Sequence, residues 1–248
     1  MRYFIELSYN GTDYHGWQVQ PNAITVQSIL DKALSILLKK PTTTMGAGRT
    51  DTGVHAAKMV AHFDFNTSID LDDLTYKLNS FLPKDIAVHQ IQQVKDDAHA
   101  RFDATQRTYF YKISTVKDVF NVDGVYYYNK NLDIDLMNKA SKLLLEYSDF
   151  QCFSRAHSDV KTYLCAISEA HWTKEKHTVV FKISADRFLR NMVRAIVGTL
   201  LDVGNHKTSL EDFQKIIQSK DRSNAGASAP AKGLYLSEII YPDSIFHV

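Results

Sequence analysis

Strand-like and helix-like segments alternate along almost the whole of this 248-residue chain, with no long linker between them. In the first part, strand patterns cover residues 2–9, 58–65, 86–94 and 106–116. Between them, Thr25 and Asp70 precede helical apolar patterns, and the second of these patterns ends at Pro83. Such an alternation predicts an α+β fold, in which helices cover a sheet.

The second part of the chain contains a similar mixture in a comparable order. Asp133 precedes a helical pattern, residues 162–173 and 178–184 are predicted strands, and residues 188–203 and 210–218 are predicted helices. A last strand is predicted at 234–241. We therefore predict two similar halves, residues 1–117 and 118–248, each with a mixed, mainly antiparallel sheet and flanking helices.

Composition places few limits on the partners of the chain. Hydrophobic residues make up 44% of it, which is enough for a core, and 29 basic residues nearly balance 28 acidic ones. A neutral protein still binds polyanions when its Lys and Arg gather on one surface. No apolar run is long enough to span a bilayer, and we expect no basic-then-apolar leader before the first strand. Cys152 and Cys165 fit a reducing compartment, so we expect a cytoplasmic protein.

A glycine-rich segment at residues 46–55 carries the first candidate for chemistry. Gly46 and Gly48 lead into Arg49, and Asp51 and Gly53 follow. Glycines permit close approach of a ligand to the backbone, and a neighbouring guanidinium favours the ionised form of a carboxylate. An ionised, positioned Asp51 would serve as a nucleophile or a base. The alternative is a surface turn tied by an Arg–Asp pair.

The predicted strand at 106–116 carries the second candidate. Arg107, Tyr109, Tyr111 and Ile113 share one of its faces. Bases splayed out of RNA stack on aromatic rings and on arginine planes, so this face would suit a nucleotide. Tyrosine is also an ordinary strand residue, and packing in the core is the alternative.

The third candidate for function is a group of three arginines. If the helix predicted at 188–203 includes position 187, then Arg187, Arg190 and Arg194 follow one another at helical spacing and form a stripe. Such a stripe would match a phosphate backbone, and the alternative is a solvated helix face.

Other chemistries find little support. The histidines and cysteines show no metal-ligand spacing, and neither a Walker loop nor a dinucleotide-binding glycine motif occurs. Asp51-Thr52-Gly53 matches the triplet of aspartic proteases, but a protease pairs two carboxylates that share a proton. Here Arg49 opposes protonation and no second triplet occurs.

Separate segments, in order from about residue 3 to residue 242, resemble the signatures of the tRNA pseudouridine synthase A (TruA) family. These segments are Tyr9-x-Gly11-x-x-Tyr14-x-Gly16-Trp17-Gln18-x-Gln20, Gly48-Arg49-Thr50-Asp51-x-Gly53-Val54-His55, Ala100-Arg101-Phe102-x-Ala104-Thr105 with Arg107-x-Tyr109-x-Tyr111, Phe188-x-x-x-Met192-Val193-Arg194-x-Ile196-Val197-Gly198, and Ala229-Pro230-x-x-Gly233-Leu234-Tyr235-Leu236. Several motifs in register are far more specific than any one of them.

The resemblance implies the pseudouridine synthase fold and a cofactor-free isomerase. Its substrate would be uridine at positions 38, 39 and 40 of the tRNA anticodon stem-loop, and a homodimer would bind one tRNA across both subunits. The first half would carry the catalytic aspartate loop, and the second half would complete the cleft and carry the basic helix.

By motif position, Asp51 would be the nucleophile and Tyr109 would contact the target base. Arg49 would order Asp51 or pair with it, and Arg194 would lie beside them. Arg107 and Arg190 are the remaining candidates for binding tRNA. Thr108 and Phe110 stand where some members carry arginine, a departure from the family pattern.

Two other classes stay open from the residues alone. One is an RNA-binding module without catalysis, with RRM-like halves, but residues 107–113 lack the glycine of the RNP1 pattern. The other is a hydrolase that uses Asp51.

Overall fold

The computed structural model describes residues 1–155 and 160–246. It divides into two compact units, one made of Met1–Gln106 with Leu236–Val248 and the other of Arg107–Tyr235. The strands are β1 (Arg2–Tyr9), β2 (Met45–Gly46), β3 (His55–Asp64), β4 (Ile86–Val94), β5 (Gln106–Ser114), β6 (Tyr126–Tyr127), β7 (Ile167–Glu175), β8 (Thr178–Ala185) and β9 (Leu234–Ile240). The helices are α1 (Val26–Leu37), α2 (Leu71–Phe81), α3 (Ile134–Leu143), α4 (Met192–Gly204) and α5 (Leu210–Ser219).

The first unit is built on an antiparallel sheet with β1 at its centre. β1 pairs with β3 on one side and β4 on the other, β2 pairs with the far end of β3, and β9 lies beside β3. Helix α2 packs against β4 and against α1. The side chains of Ile5, Leu7, Leu30 and Leu34 are fully buried in its core.

Both helices of the first unit begin where the sequence predicts. Thr25 accepts a hydrogen bond from the backbone of Ser28, and the Ser28 hydroxyl in turn accepts from the backbone of Thr25, which forms a capping box. Asp70 caps α2 by accepting from the backbone of Asp73. Strand β3 begins at His55, three residues before the prediction, because Tyr9 of β1 still pairs with Ala56.

The second unit repeats the architecture with different connections. β8 lies between β5 and β7 in an antiparallel sheet, and β6 adds a short parallel pairing to β5. Helix α3 packs against β7, α4 and α5, and nearly every residue of α4 is buried. Both units therefore place helices on a mixed, mainly antiparallel sheet, and the predicted α+β class is confirmed. The confirmed class does not depend on where the chain divides, and the division into residues 1–117 and 118–248 stays a prediction.

Two predicted boundaries in the second unit are wrong. Helix α4 begins at Met192 and not at Phe188, because Asn191 has a left-handed backbone with φ of 66° and no helix continues through it. Strand β7 begins at Ile167 and not at residue 162, because residues 163–165 pair with residues 148–150. Within residues 1–155 and 160–246, none of the helices has the length and hydropathy of a membrane span.

Candidate active site

Residues 46–54, which we call the Asp51 loop, leave the sheet of the first unit at the end of β2. Gly46 pairs with Ala61, and the amide of Ala47 donates to the carbonyl of Val60 at 2.8 Å. A Cβ at Gly46 would overlap the indole of Trp17, so this indole packs directly against the backbone where the loop leaves the sheet.

The backbone immediately before Asp51 is held by residues far away in sequence. The amide of Trp17 donates to the carbonyl of Thr50 at 3.3 Å, and the Thr50 hydroxyl lies 2.8 Å from the Tyr9 hydroxyl. Gly16 has a positive φ of 81°, and a Cβ there would overlap the Thr50 carbonyl oxygen. Thr50 is therefore fixed from two sides and is buried.

The backbone after Asp51 is held in the same way. The Asp51 carbonyl accepts from the amide of Val54 at 3.1 Å, which closes a turn, and the amide of Gly53 donates to the carbonyl of Tyr14 at 3.3 Å. Gly53 has a φ of 76°, a conformation that favours glycine. A Cβ at Gly11 would overlap the carbonyl of Val54.

Residues 9–17 thus form the support of the Asp51 loop, a role that their sequence does not reveal by periodicity. The rings of Tyr9 and Trp17 stack with centroids 6.2 Å apart, and the amide of Gly11 donates to Nδ1 of His55 at 3.1 Å. Tyr14 donates its hydroxyl to Asp85 at 2.7 Å, and burial together with this carboxylate raises the pKa of the phenol. The only signal in the sequence was their place in a family signature.

The two charged residues of the loop differ in their surroundings. Asp51 is half-buried and Arg49 is exposed. The role expected for Arg49, to order Asp51 or to pair with it, stays a prediction, whereas hydrogen bonds hold the loop that carries Asp51 on both sides.

In the second unit, β5 separates its tyrosines into two environments. Tyr111 is fully buried and donates its hydroxyl to the carbonyl of Pro230 at 2.8 Å, and burial raises the pKa of this phenol. Tyr109 is half-buried, and its ring meets the ring of Phe188 edge-on, with centroids 5.2 Å apart at 90°. Tyr111 therefore belongs to the core, whereas the ring of Tyr109 is fixed and still partly accessible.

Each candidate arginine of the second unit has its own environment. Arg107 donates from Nη1 to the carbonyl of Asp186 at 2.7 Å, and Arg194 donates from Nε to the carbonyl of Ala229 at 2.7 Å. Arg190 is exposed and precedes α4, with Arg187 before it. The predicted helical stripe of Arg187, Arg190 and Arg194 is therefore wrong, because only Arg194 lies in the helix.

The hydrogen bond of Arg194 belongs to a larger contact between α4 and residues 225–230. The amide of Ala229 donates back to the carbonyl of Arg194 at 2.9 Å, and the amide of Gly226 donates to the Thr199 hydroxyl at 2.9 Å. A Cβ at Gly198 would overlap the carbonyl of Ala227. The backbone of residues 225–230 therefore lies directly against α4 at Gly198, where a larger residue would not fit.

Other reactive groups are not gathered into a site in the described residues. No group of three or more His, Cys, Asp or Glu within 1–155 and 160–246 is arranged to hold a metal ion. Cys152 and Cys165 are buried and unbridged, and burial raises the pKa of each thiol to about 12.

Comparison with known proteins identifies the class of protein that carries these features. The sequence model described as tRNA pseudouridine synthase matches residues 7–103 and 140–242. The chain belongs to the tRNA pseudouridine synthase family. The predicted fold and the resemblance read from the motifs are confirmed, and the protein is an enzyme of an isomerase family that acts on uridine in tRNA.

The similar proteins within this family share one name, tRNA pseudouridine synthase A. The chain is 56% identical over 247 residues to tRNA pseudouridine synthase A of Bacteroides fragilis, covering 99% of this chain and 98% of the relative. It is 53% identical over 248 residues to the protein of the same name from Parabacteroides distasonis, covering 100% and 98%. The protein of that name from Bacillus subtilis is 41% identical over 245 residues, covering 97% and 99%.

Proposed function

We propose that this enzyme converts uridine to pseudouridine at positions 38, 39 and 40 of the tRNA anticodon stem-loop, with Asp51 as the nucleophile and without a cofactor. The observation that carries the proposal is the support of the Asp51 loop. Hydrogen bonds fix the backbone on both sides of Asp51, through Thr50 and Val54, while its side chain is half-buried. Such preorganisation is what a catalytic carboxylate needs.

The reaction needs no oxidant and no second substrate. The N1–C1′ bond of the nucleoside breaks, the uracil turns within the site, and a C5–C1′ bond forms. The proton on C5 then leaves to a base and N1 takes up a proton, so the product has the same atoms as the substrate. In this scheme the ionised Asp51 carboxylate attacks the nucleoside and leaves again when the C5–C1′ bond has formed.

The remaining candidates bind the substrate. A uridine in a stem-loop must leave its stack, at a cost of a few kcal/mol, and a base that stacks on Tyr109 would offset part of it. The edge-on contact with Phe188 holds that ring in place. Arg49 and Arg190 are exposed and would meet the RNA backbone, and Arg107 and Arg194 are the further candidates for binding tRNA.

We further propose a cytoplasmic homodimer that binds one tRNA across both subunits. The two buried thiols are unbridged, which fits a reducing compartment. In this arrangement residues 1–117 supply the aspartate loop and residues 118–248 complete the cleft.

The test uses tRNA labelled with tritium at C5 of uridine, incubated with the purified protein and a metal chelator. Isomerisation exchanges the C5 proton, so tritium enters water, and the modified positions are then mapped on the tRNA. A binding module would retain tRNA without releasing tritium. A hydrolase of peptide or phosphoester bonds would leave the uridines unchanged and release no tritium. Either of these results would refute the proposal, as would modification confined to positions outside 38–40.

A further inference from the structure

A phenylalanine ring is exposed on the loop that follows β4 in the first unit. Phe102 is 73% exposed. The guanidinium of Arg101 lies over the ring, 5.5 Å from its centroid, and the His99 ring lies 4.3 Å from it, centroid to centroid. The phenylalanine is thus exposed, yet a cation and an aromatic ring are in contact with it.

The backbone that carries this ring is also held. Nδ1 of His99 accepts from the amides of both Arg101, at 3.0 Å, and Phe102, at 3.3 Å. The amide of His99 donates to the Asp103 carboxylate at 2.7 Å, and the amide of Asp103 donates to the carbonyl of His99 at 3.1 Å. Residues 99–103, which we call the Phe102 loop, therefore have little freedom left to lose on binding a ligand.

Contacts with the sheet fix the loop as a whole. The amide of Ala100 donates to Nδ1 of His62 on β3 at 3.1 Å, and the carbonyl of Ala100 accepts from the Tyr241 hydroxyl at 2.6 Å. Just before the loop, the carbonyl of Ala98 accepts from Arg2 of β1 at 2.9 Å. Phe102 therefore lies on a loop that is firmly anchored to the sheet, and precise binding sites are built on such rigid supports.

We propose that Phe102, with Arg101 beside it, is a stacking platform for an unpaired base of the bound tRNA. Aromatic rings and guanidinium planes both stack on bases, and stacking tolerates any base because each has a π face. The inference rests on the proposed function only in taking tRNA as the ligand.

The two loops use different side chains of β3. The amide of Gly11, in the support of the Asp51 loop, donates to His55, whereas the amide of Ala100 in the Phe102 loop donates to His62. In this proposal the base on Phe102 is a second contact of the tRNA, distinct from the uridine that reacts at Asp51.

Charges around the loop favour recognition by stacking over recognition of phosphate. Asp96 and Asp97 are exposed nearby, and Arg2 is engaged by Asp64 at 2.8 Å. Because these carboxylates oppose a phosphate, the platform should contribute to affinity with little dependence on salt.

The first experiment places a fluorescent reporter on the platform. The native tryptophans, Trp17 and Trp172, are 2% and 3% exposed. In Phe102→Trp, the introduced indole is the solvent-facing one, and we expect an unmodified tRNA transcript to quench it. Tyr76 on α2 is also 73% exposed, so Tyr76→Trp is the matched control and should not be quenched. Equal quenching in both variants, or none in Phe102→Trp, would overturn the proposal.

The second experiment measures affinity. Phe102→Ala should weaken tRNA binding about 5- to 150-fold with an unchanged salt slope, whereas Tyr76→Ala should bind normally. Phe102→Leu keeps an apolar side chain without a π face and should not restore affinity. Normal affinity of Phe102→Ala would refute the proposal, and so would altered self-association in sedimentation, which would assign the ring to a contact between protein copies.

Failure of the Phe102 platform can be told apart from failure of the proposed reaction. If the wild type binds tRNA and Phe102→Trp is quenched, but no tritium is released from C5 of uridine, the proposed reaction fails and the platform stands. If tritium release is normal and Phe102→Ala binds tRNA normally, the platform fails and the reaction stands.

Discussion

At the scale of single residues, the contrast between Thr50 and Asp51 is the most informative. Thr50 is buried and bonded through both its carbonyl and its hydroxyl, whereas the next side chain along is half-buried. A fixed backbone sets the position of the Asp51 side chain. Loss of that carboxylate should therefore affect chemistry far more than folding.

Asp51→Asn keeps the shape of the side chain and removes its charge. We expect tritium release from C5 to vanish in single-turnover conditions, while tRNA affinity changes by less than about tenfold, or 1.4 kcal/mol. Asp72→Asn, at an exposed position in the first turn of α2, controls for the loss of one negative charge. Measurable pseudouridine from Asp51→Asn would show that another group starts the reaction.

Tyr109 offers a test that separates a ring from a hydroxyl. Tyr109→Ala removes a stacking surface worth about 1–3 kcal/mol per base and should lower turnover more than thermal stability. Tyr109→Phe keeps the ring and its contact with Phe188, so a near-normal rate would assign no proton transfer to the phenol. If Tyr109→Ala instead unfolds early and the folded fraction works normally, the ring serves packing alone.

At the scale of elements, features that depend on neighbouring residues were predicted from the sequence, whereas features that depend on distant contacts were not. Thr25 and Asp70 fixed two helix starts because capping depends on residues three positions apart. The start of α4 was missed because the left-handed Asn191 leaves no pattern in the apolar residues around it. Likewise, Asp51 was found from its own segment, whereas the support from Gly11 and Gly16 comes from residues about 40 positions away.

The support of the Asp51 loop predicts different outcomes for two glycines. Gly16→Ala places a methyl group against the Thr50 carbonyl in a backbone with φ of 81°, so it should cost about 1–3 kcal/mol of stability and misplace Asp51. Gly48→Ala is the matched control, because nothing lies within 4 Å of its Cβ position. Chemical denaturation and single-turnover rates measure both effects. Equal stability of the two variants would contradict this account.

The anchor of the Phe102 loop predicts a dependence on pH. Burial lowers the pKa of His62 from its ordinary 6.5 to about 4. Between these values the unfolded chain binds a proton that the folded chain lacks, so the free energy of unfolding should fall as pH drops from 6.5 to 4.

The pH effect is measured by urea unfolding of the wild type and of His62→Asn, which does not titrate and whose Oδ1, attached to Cγ like the Nδ1 of histidine, offers an acceptor to the amide of Ala100. The wild type should lose stability more steeply than the variant. Parallel losses would assign the effect to other groups.

At the scale of the whole molecule, a chain of net charge +1 must gather its basic residues to hold a polyanion. Since Arg187, Arg190 and Arg194 do not form one helical stripe, each proposed phosphate contact has to be tested separately. The slope of log affinity against log salt counts such contacts.

Arg190→Gln should weaken all substrate tRNAs similarly and flatten the salt slope by about 0.7–0.9. Lys139→Gln removes the same charge from an exposed position on α3 and should leave the slope unchanged. Arg194→Gln should lower turnover as well as affinity, because it also loses the bond to the Ala229 carbonyl. If the slope of Arg190→Gln stays parallel to that of the wild type, tRNA is held elsewhere.

The order of the chain has a consequence for synthesis on the ribosome. The unit that carries Asp51 includes Leu236–Val248, so it is completed only after the whole of Arg107–Tyr235 has been translated. Until β9 emerges, β3 has an unpaired edge along the side that β9 occupies, and such edges pair with other chains. A nascent chain that stops before Leu234 should therefore aggregate or be degraded, so the cell does not accumulate a fragment that displays the aspartate loop without the rest of the enzyme.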